Sequence, residues 1–271
     1  RSLSRGDVKS WLSWRRMRDP DGEKRDDPLS PWSLQREKAV LSTLFEEAVE
    51  REWMDANPAR RVSVETPSRE PVILSEEEYG ELIEAAESRP MLPMFFLLGG
   101  EAGLRRSEAF DLRWSDLDLS DGFLDVVSGR EGRQTKGKRS RSVPMTTRLR
   151  SALRDHAARW RFDGTGSEYV LHHTRDWSKA SAGDPFARLR QSVNNAADEA
   201  GLPDEWRFHD LRHRRCTLWL AQGYSPEKVR RCMGHSQLST TLQYSHLVRS
   251  DLEEMVGDED ADRAGLEGMV G

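Results

Sequence analysis

Residues 208–247 (FHDLRHRRCTLWLAQGYSPEKVRRCMGHSQLSTTLQYSHL) constrain this chain more than any other stretch, because signals for three successive helices fall within them. Leu211, Leu218 and Leu220 set an apolar period for the first helix, on which His209 and Arg212, three apart, share a face. Gly223 ends that helix, and Ser225 as N-cap with Pro226 at the first position starts the next. Gly234 stops the second helix, His235 follows directly, and Ser239, Thr240 and Thr241 open a short helical turn that carries Tyr244. A helix face, a post-glycine turn and a short helix can thereby converge two imidazoles, a guanidinium and a phenol on one spot. That set suits phosphoryl transfer. Arginine clamps an anionic oxygen with paired donors, histidine moves protons near neutral pH, and a tyrosine hydroxyl can act as a covalent nucleophile.

Taken singly, each feature has an ordinary structural explanation. A His-x-x-Arg pair most often lies on a solvated or salt-bridged face. A tyrosine near a helix start is usually half-buried core with a wet hydroxyl, and Gly-His is a common helix stop. Order and spacing together reverse that balance. HDLRH, then MGH, then a tyrosine nine residues further on in STTLQYSH resembles the C-terminal signature of the tyrosine recombinases, the phage-integrase family.

The upstream members of that family's site have counterparts here. EAGLRRSEAF, where Gly103 breaks an apolar helix and Ser107 and Glu108 open another, resembles the family's first arginine motif. The resemblance implies a catalytic Arg105, a bystander Arg106 and a buttressing Glu108. A guanidinium beside a helix N-terminus is already a site for an anionic oxygen. Residues 123–127 and 139–145 read as strands flanking a basic, glycine-interrupted loop, and residues 114–117 complete a three-stranded antiparallel sheet. TKGKRSRSVPM is similar to the family's Lys-Gly…Arg-x-Val-Pro pattern, which puts the general acid on Lys136. A two-residue slip keeps the same face, so Lys138 is the alternative. Arg133, Lys138, Arg139 and Arg141 are expected to contact DNA phosphates.

Composition is at first sight awkward for a nucleic-acid binder, since the net charge of the 271 residues is −5. The charge is uneven, however. Residues 130–161 hold eleven Lys and Arg against Glu131 and Asp155, while residues 76–87 and 251–262 are acidic. A locally basic face on an acidic body still attracts phosphates, which respond to the nearby potential. The basic residues are mostly Arg, with only seven Lys, and an acid-rich, Lys-poor surface suits a salt-loving source. No uninterrupted apolar run of about 18 residues exists, so no membrane span is expected. Cys216 and Cys232 lack metal-ligand spacing and read as buried free thiols in a reducing compartment, the cytoplasm. His172 and His173 have no third ligand at useful spacing, so no metal site is expected.

Residues 1–66 read as helical, with helices at 4–18 and 33–54 separated by a Pro/Asp/Gly-rich loop, and the tryptophans read as core. ANPARRV is similar to the ending of the family's helical core-binding domain, which implies DNA binding by this segment. The segment is shorter than usual for that domain, and its first helix is expected to be absent or degenerate. Residues 61–71 are polar, contain two prolines and read as a linker. Residues 72–271 then form the second domain. A Ser75–Glu78 capping box opens a helix, residues 90–99 form an apolar helical spine, helices follow at 146–160 and 185–200, and a short strand lies at 168–171.

The expected architecture is mainly α with a small three-stranded antiparallel sheet. In the family's arrangement that becomes a two-domain DNA clamp, a helical core-binding domain plus a catalytic domain. The implied activity is site-specific cutting and rejoining of double-stranded DNA through a 3′-phosphotyrosyl link on Tyr244, without metal, cofactor or ATP. On the resemblance, Arg105 and Arg212 hold the non-bridging oxygens, His235 donates to one of them, His209 assists proton transfer at the tyrosine, and Lys136 protonates the departing 5′-oxygen. A homotetramer on paired sites is implied, and the tail from residue 258 either docks on a neighbouring catalytic domain, as in the family, or is a passive end. Two other readings share these residues: a type IB topoisomerase relaxing one duplex, and a non-catalytic DNA-binding protein on a recombinase scaffold.

Overall fold

The structure, a computed structural model, describes residues 3–67, 69–128, 130, 140–176, 180–186 and 189–244. It divides into two compact units, residues 1–70 and 71–271.

In the first unit, α1 (Arg5–Arg16) starts at a Ser4 cap whose reciprocal partner is Asp7, and α2 (Pro31–Glu50) starts at Ser30, with Pro31 at its first position. Their apolar faces enclose a small core of Val8, Leu12, Leu34, Ala59 and Val62. Asn57 secures the end of the unit: its Nδ2 donates to the Ser42 carbonyl (2.9 Å) and its Oδ1 accepts from the Ala59 amide (2.8 Å). So small a core cannot enclose the tryptophans expected there. Trp14, Trp32 and Trp53 are 45%, 55% and 72% exposed, and the Arg18 and Arg51 guanidiniums lie over the Trp14 and Trp53 rings.

The second unit is built on α3 (Glu76–Ala86), α4 (Leu92–Ala102) and α8 (Phe208–Ala221). The Ser75–Glu78 capping box opens α3. Met91 through Ala102 is almost wholly buried except for Pro93, as befits an apolar helix inside a core. Phe95 stacks on Phe208 at 3.9 Å between centroids, and α8 lies so close to α4 that a Cβ at Gly99 would sit 2.8 Å from the Phe208 ring. Glycine is what permits that approach. Buried cations on α8 each have oxygen partners, Arg214 with the Leu74 carbonyl and Glu76, Arg215 with the Gly100 carbonyl and Glu101.

After α5 (Arg106–Phe110) comes a three-stranded antiparallel sheet in the order β1 (Leu117–Asp118), β2 (Phe123–Val126), β3 (Arg141–Pro144), with Leu124 opposite Val143. The first strand is shorter than expected. Asp116 accepts from the Arg113 amide and pairs with Arg130, which draws buried Trp114 into a 3₁₀ turn instead of a strand. Residues 168–171 make only isolated bridges, because their partners are single residues of the 112–114 turn. Helix α6 spans Thr147–Trp160, and α7 (Arg190–Glu199) begins later than expected, since residues 184–185 pair with 172–173. Helices α9 (Pro226–Met233) and α10 (Leu238–Leu242) close the described chain. Cys216 is buried, whereas Cys232 is only half-buried, a correction to the reading of both as core. His172 contacts Asp163, and among the described residues no group of His, Cys, Asp and Glu is arranged to hold a metal ion. No described helix is long and apolar enough to cross a membrane.

Candidate active site

Helix α8 is capped by Arg207, whose amide donates to the Asp210 carboxylate (2.8 Å). That start aligns His209, Arg212 and His213 on one face, at i, i+3 and i+4. Arg212 is 2% exposed, and its two terminal nitrogens donate to the Gly103 and Met233 carbonyls. Both carbonyls lie at helix ends closed by a left-handed glycine, Gly103 after α4 (φ 65°) and Gly234 after α9 (φ 64°). The guanidinium thus pins two helix termini to α8. Burial, then the like charge of Arg105, lowers its pKa to about 9, so it remains a cation at neutral pH.

Arg105 precedes α5 and reaches the same place from the other side. Its Nη1 donates to Glu108 (2.8 Å) and its Nη2 to the Gly234 carbonyl (3.1 Å). Glu108 also accepts from the Arg105 amide (2.8 Å) and from both terminal nitrogens of Arg141 (2.9 and 2.8 Å). Burial alone would raise the Glu108 pKa, but Arg141 and Arg105 outweigh it and hold the carboxyl at about 2. Arg141 completes its set by donating Nε–H to the Cys232 carbonyl (2.7 Å). Expected among the DNA-contacting cations, it faces inward and acts as a strut between β3, α5 and α9.

His235 follows the Gly234 stop. Its Nδ1 lies 2.9 Å from the Thr241 hydroxyl, and its carbonyl accepts from Arg230 (2.9 Å). Burial, then Arg212 and Arg105, depress its pKa to about 3, so it is neutral at pH 7. His209, although exposed at the surface, is lowered to about 4 by desolvation and then by the charges of His213, Arg212 and Arg105, which solvent screens in part. Tyr244, one turn beyond α10, is 8% exposed, and burial followed by the nearby Cys216 thiol pushes its hydroxyl up to about 12. The hydroxyl is hydrogen-bonded to Nδ1 of His213, whose ring meets that of His209 edge-on at 4.7 Å.

Five of the six candidate catalytic residues therefore converge: Arg105, His209, Arg212, His235 and Tyr244. The sixth, Lys136, lies outside the described residues, as do Lys138, Arg133, Arg139 and everything beyond Tyr244. Two functional neighbours were passed over in the sequence. His213 stands one residue after Arg212, and its i+4 spacing from His209 was the available signal. Thr241 gave none, since only the fold brings it to His235. A cleft of about 700 Å³ borders His209 and is lined also by Arg106, Arg190 and Arg207.

Residues 73–250 match the model of the phage integrase family. The chain is 28% identical over 227 residues to the tyrosine recombinase XerC of Xanthomonas axonopodis pv. citri (strain 306), covering 81% of this chain and 68% of that protein. It is 26% identical over 238 residues to XerC of Halalkalibacterium halodurans, covering 82% and 74%. Among solved structures it is similar to the Tn1549 transposon integrase in complex with a circular intermediate DNA (TM-score 0.68, 18% identity, 93% of this chain and 86% of that one). It is also similar to the XerA recombinase (TM-score 0.56, 25% identity, 93% and 89%). With a family match over about two thirds of its length, a mainly helical fold and these residues gathered in one place, the chain belongs to the phage integrase family, the tyrosine recombinases.

Proposed function

We propose that this protein is a site-specific recombinase that cuts and rejoins double-stranded DNA through a 3′-phosphotyrosyl intermediate. The observation that carries the reading is the convergence of Arg105, Arg212, His209, His235 and Tyr244 from four separate segments of the second unit. Tyr244 attacks the scissile phosphate. Arg105 and Arg212 stabilise the charge that grows on the non-bridging oxygens, and neutral His235 donates to one of them. Because two guanidiniums supply the positive charge, this mechanism calls for no metal ion. Lys136, between β2 and β3 in the sequence, protonates the departing 5′-oxygen. The bond energy stays in the phosphotyrosine, so rejoining needs no ATP. Residues 1–66 act as the core-binding domain and residues 72–271 as the catalytic domain, and the protein works as a tetramer on paired sites in the cytoplasm. Arg106, Arg190 and Arg207 in the cleft beside His209 offer phosphate contacts flanking the cut.

The test is covalent capture on a nicked suicide duplex carrying a candidate site. Wild type should give a protein–DNA adduct, and Tyr244→Phe should give none while binding DNA nearly as well, since one hydroxyl is lost and little apolar area changes. An adduct retained by Tyr244→Phe would move the nucleophile elsewhere. Relaxation of a supercoiled circle with no need for paired sites would instead assign topoisomerase activity.

A further inference from the structure

We propose that His213, rather than His209, is the base that takes the phenolic proton of Tyr244 during strand cleavage. The inference rests on Tyr244 being the nucleophile and names the group that activates it.

Contact decides first. Nδ1 of His213 is the hydrogen-bond partner of the Tyr244 hydroxyl, with the ring centroids 5.3 Å apart. A base must be within hydrogen-bond reach of the proton it abstracts. Among the described residues no hydrogen bond joins His209 to the tyrosine. Its ring instead meets His213 edge-on, and the charges acting on it are those of His213, Arg212, Arg105 and Asp210. His213 is therefore in contact with the nucleophile, while His209, on the same helix face, meets the His213 ring.

Need decides second. Tyr244 is 8% exposed, which leaves little room for water to carry the proton away, and burial holds the phenol less acidic than a free tyrosine. A buried phenol becomes a nucleophile only if a neighbour accepts its proton as the bond to phosphorus forms. The position of His213 is firm. Leu211, Cys216 and Trp219 on the same helix are buried, and its own carbonyl accepts the Thr217 hydroxyl (3.1 Å). The groups facing the His213–Tyr244 pair are His209, Asp210, Arg212 and Cys216 from α8 and His235 from the turn after α9.

The step balances with groups already named. His213 carries its hydrogen on Nε2 and accepts at Nδ1. The tyrosine O–H bond breaks as the O–P bond forms, and the proton passes to Nδ1, giving an imidazolium. The P–O5′ bond breaks, and its oxygen takes a proton from Lys136. In rejoining, the 5′-hydroxyl attacks phosphorus, the tyrosine oxygen leaves, and His213 returns the proton.

Single-turnover cleavage of the suicide duplex by the full chain tests this, with DNA affinity and melting measured alongside. His213→Ala should slow cleavage by ~100- to 10,000-fold at saturating DNA with affinity unchanged. His213→Gln, which can hold the tyrosine by a hydrogen bond but cannot take a proton, should be slow as well and guards against a folding defect in the alanine variant. The rise of wild-type rate with pH on the acid side should disappear in His213→Gln. Incorporating a fluorinated, more acidic tyrosine at position 244 should recover at least about tenfold in that variant and change wild type little. A wild-type or faster rate for His213→Gln would overturn the proposal and leave the contact as a resting latch. So would an unchanged acid limb, or no recovery with the fluorinated tyrosine. The parent reading fails differently: wild type would form no adduct, or Tyr244→Phe would still form one.

Discussion

Arg141 and Lys136 lie five residues apart in one basic stretch of sequence, yet Arg141 is held inside the site by its own partners. The Arg141 side chain is 10% exposed and its guanidinium is engaged by Glu108 and the Cys232 carbonyl. A cation so enclosed organises the site instead of meeting DNA, and removing it would leave Glu108 short of two donors in a buried place. Lys136 and Lys138, outside the described residues, are distinguished by chemistry. Lys136→Ala should slow cleavage by ~100- to 10,000-fold, as loss of a general acid does. Lys138→Ala should mainly weaken binding and lower the salt slope by about one. A 5′-thio leaving group, which needs no proton, should restore the Lys136 variant. If it restores only Lys138→Ala, the general acid is Lys138.

At the scale of elements, the site is a meeting of helix ends. The ends of α4 and α9 and the turn after α10 bond to one face of α8, Arg105 at the start of α5 joins them through the Gly234 carbonyl, and left-handed glycines make two of those ends possible. Gly234 bears the heaviest demand. Its φ is 64°, and a Cβ there would lie 2.9 Å from Arg141 Nη1 and 3.1 Å from Arg141 Cδ. Gly234→Ala should therefore cost about 1–2 kcal/mol from backbone conformation alone. It should also displace both the carbonyl that holds Arg105 and the following His235. Denaturant unfolding should show the stability loss, and adduct formation should fall further than stability explains. A variant that melts and cleaves like wild type would show that this helix end does not set the site.

For the whole molecule, the same buried charges set the pH range of stability. Glu108 sits at about 2 against an ordinary 4.5, through Arg141 and Arg105 opposing its burial. His235 sits at about 3 against 6.5, through burial and then Arg212 and Arg105. All of these folded values lie below the unfolded ones, so the unfolded chain binds more protons in acid and stability rises with pH. The contribution is complete above about pH 6.5. It is lost first as the unfolded histidine protonates and then through the range in which Glu108 takes its proton. The urea midpoint should fall steadily from about pH 7 to about pH 4, and less so in His235→Asn. A flat midpoint over that range would mean that these groups titrate alike in both states.

Local chemistry wrote much of this protein into its sequence. The Ser75–Glu78 box, the Ser225–Pro226 start and the Gly103 and Gly234 stops act within one turn of chain, so they were legible as written. The ordered HDLRH, MGH and Tyr244 set was legible through its resemblance to the tyrosine recombinases, and the mainly helical class through apolar periodicity and caps. What spacing could not decide was which of two histidines on one helix face meets the tyrosine, since i and i+4 project alike and the partner lies 31 residues away. Nor could it tell that Arg141 turns inward, because its three acceptors belong to segments remote in sequence. The exposed tryptophans of the first unit followed from the size of a core that no single residue announces. Those outcomes depend on how separate segments pack, and packing is a property of the tertiary structure alone.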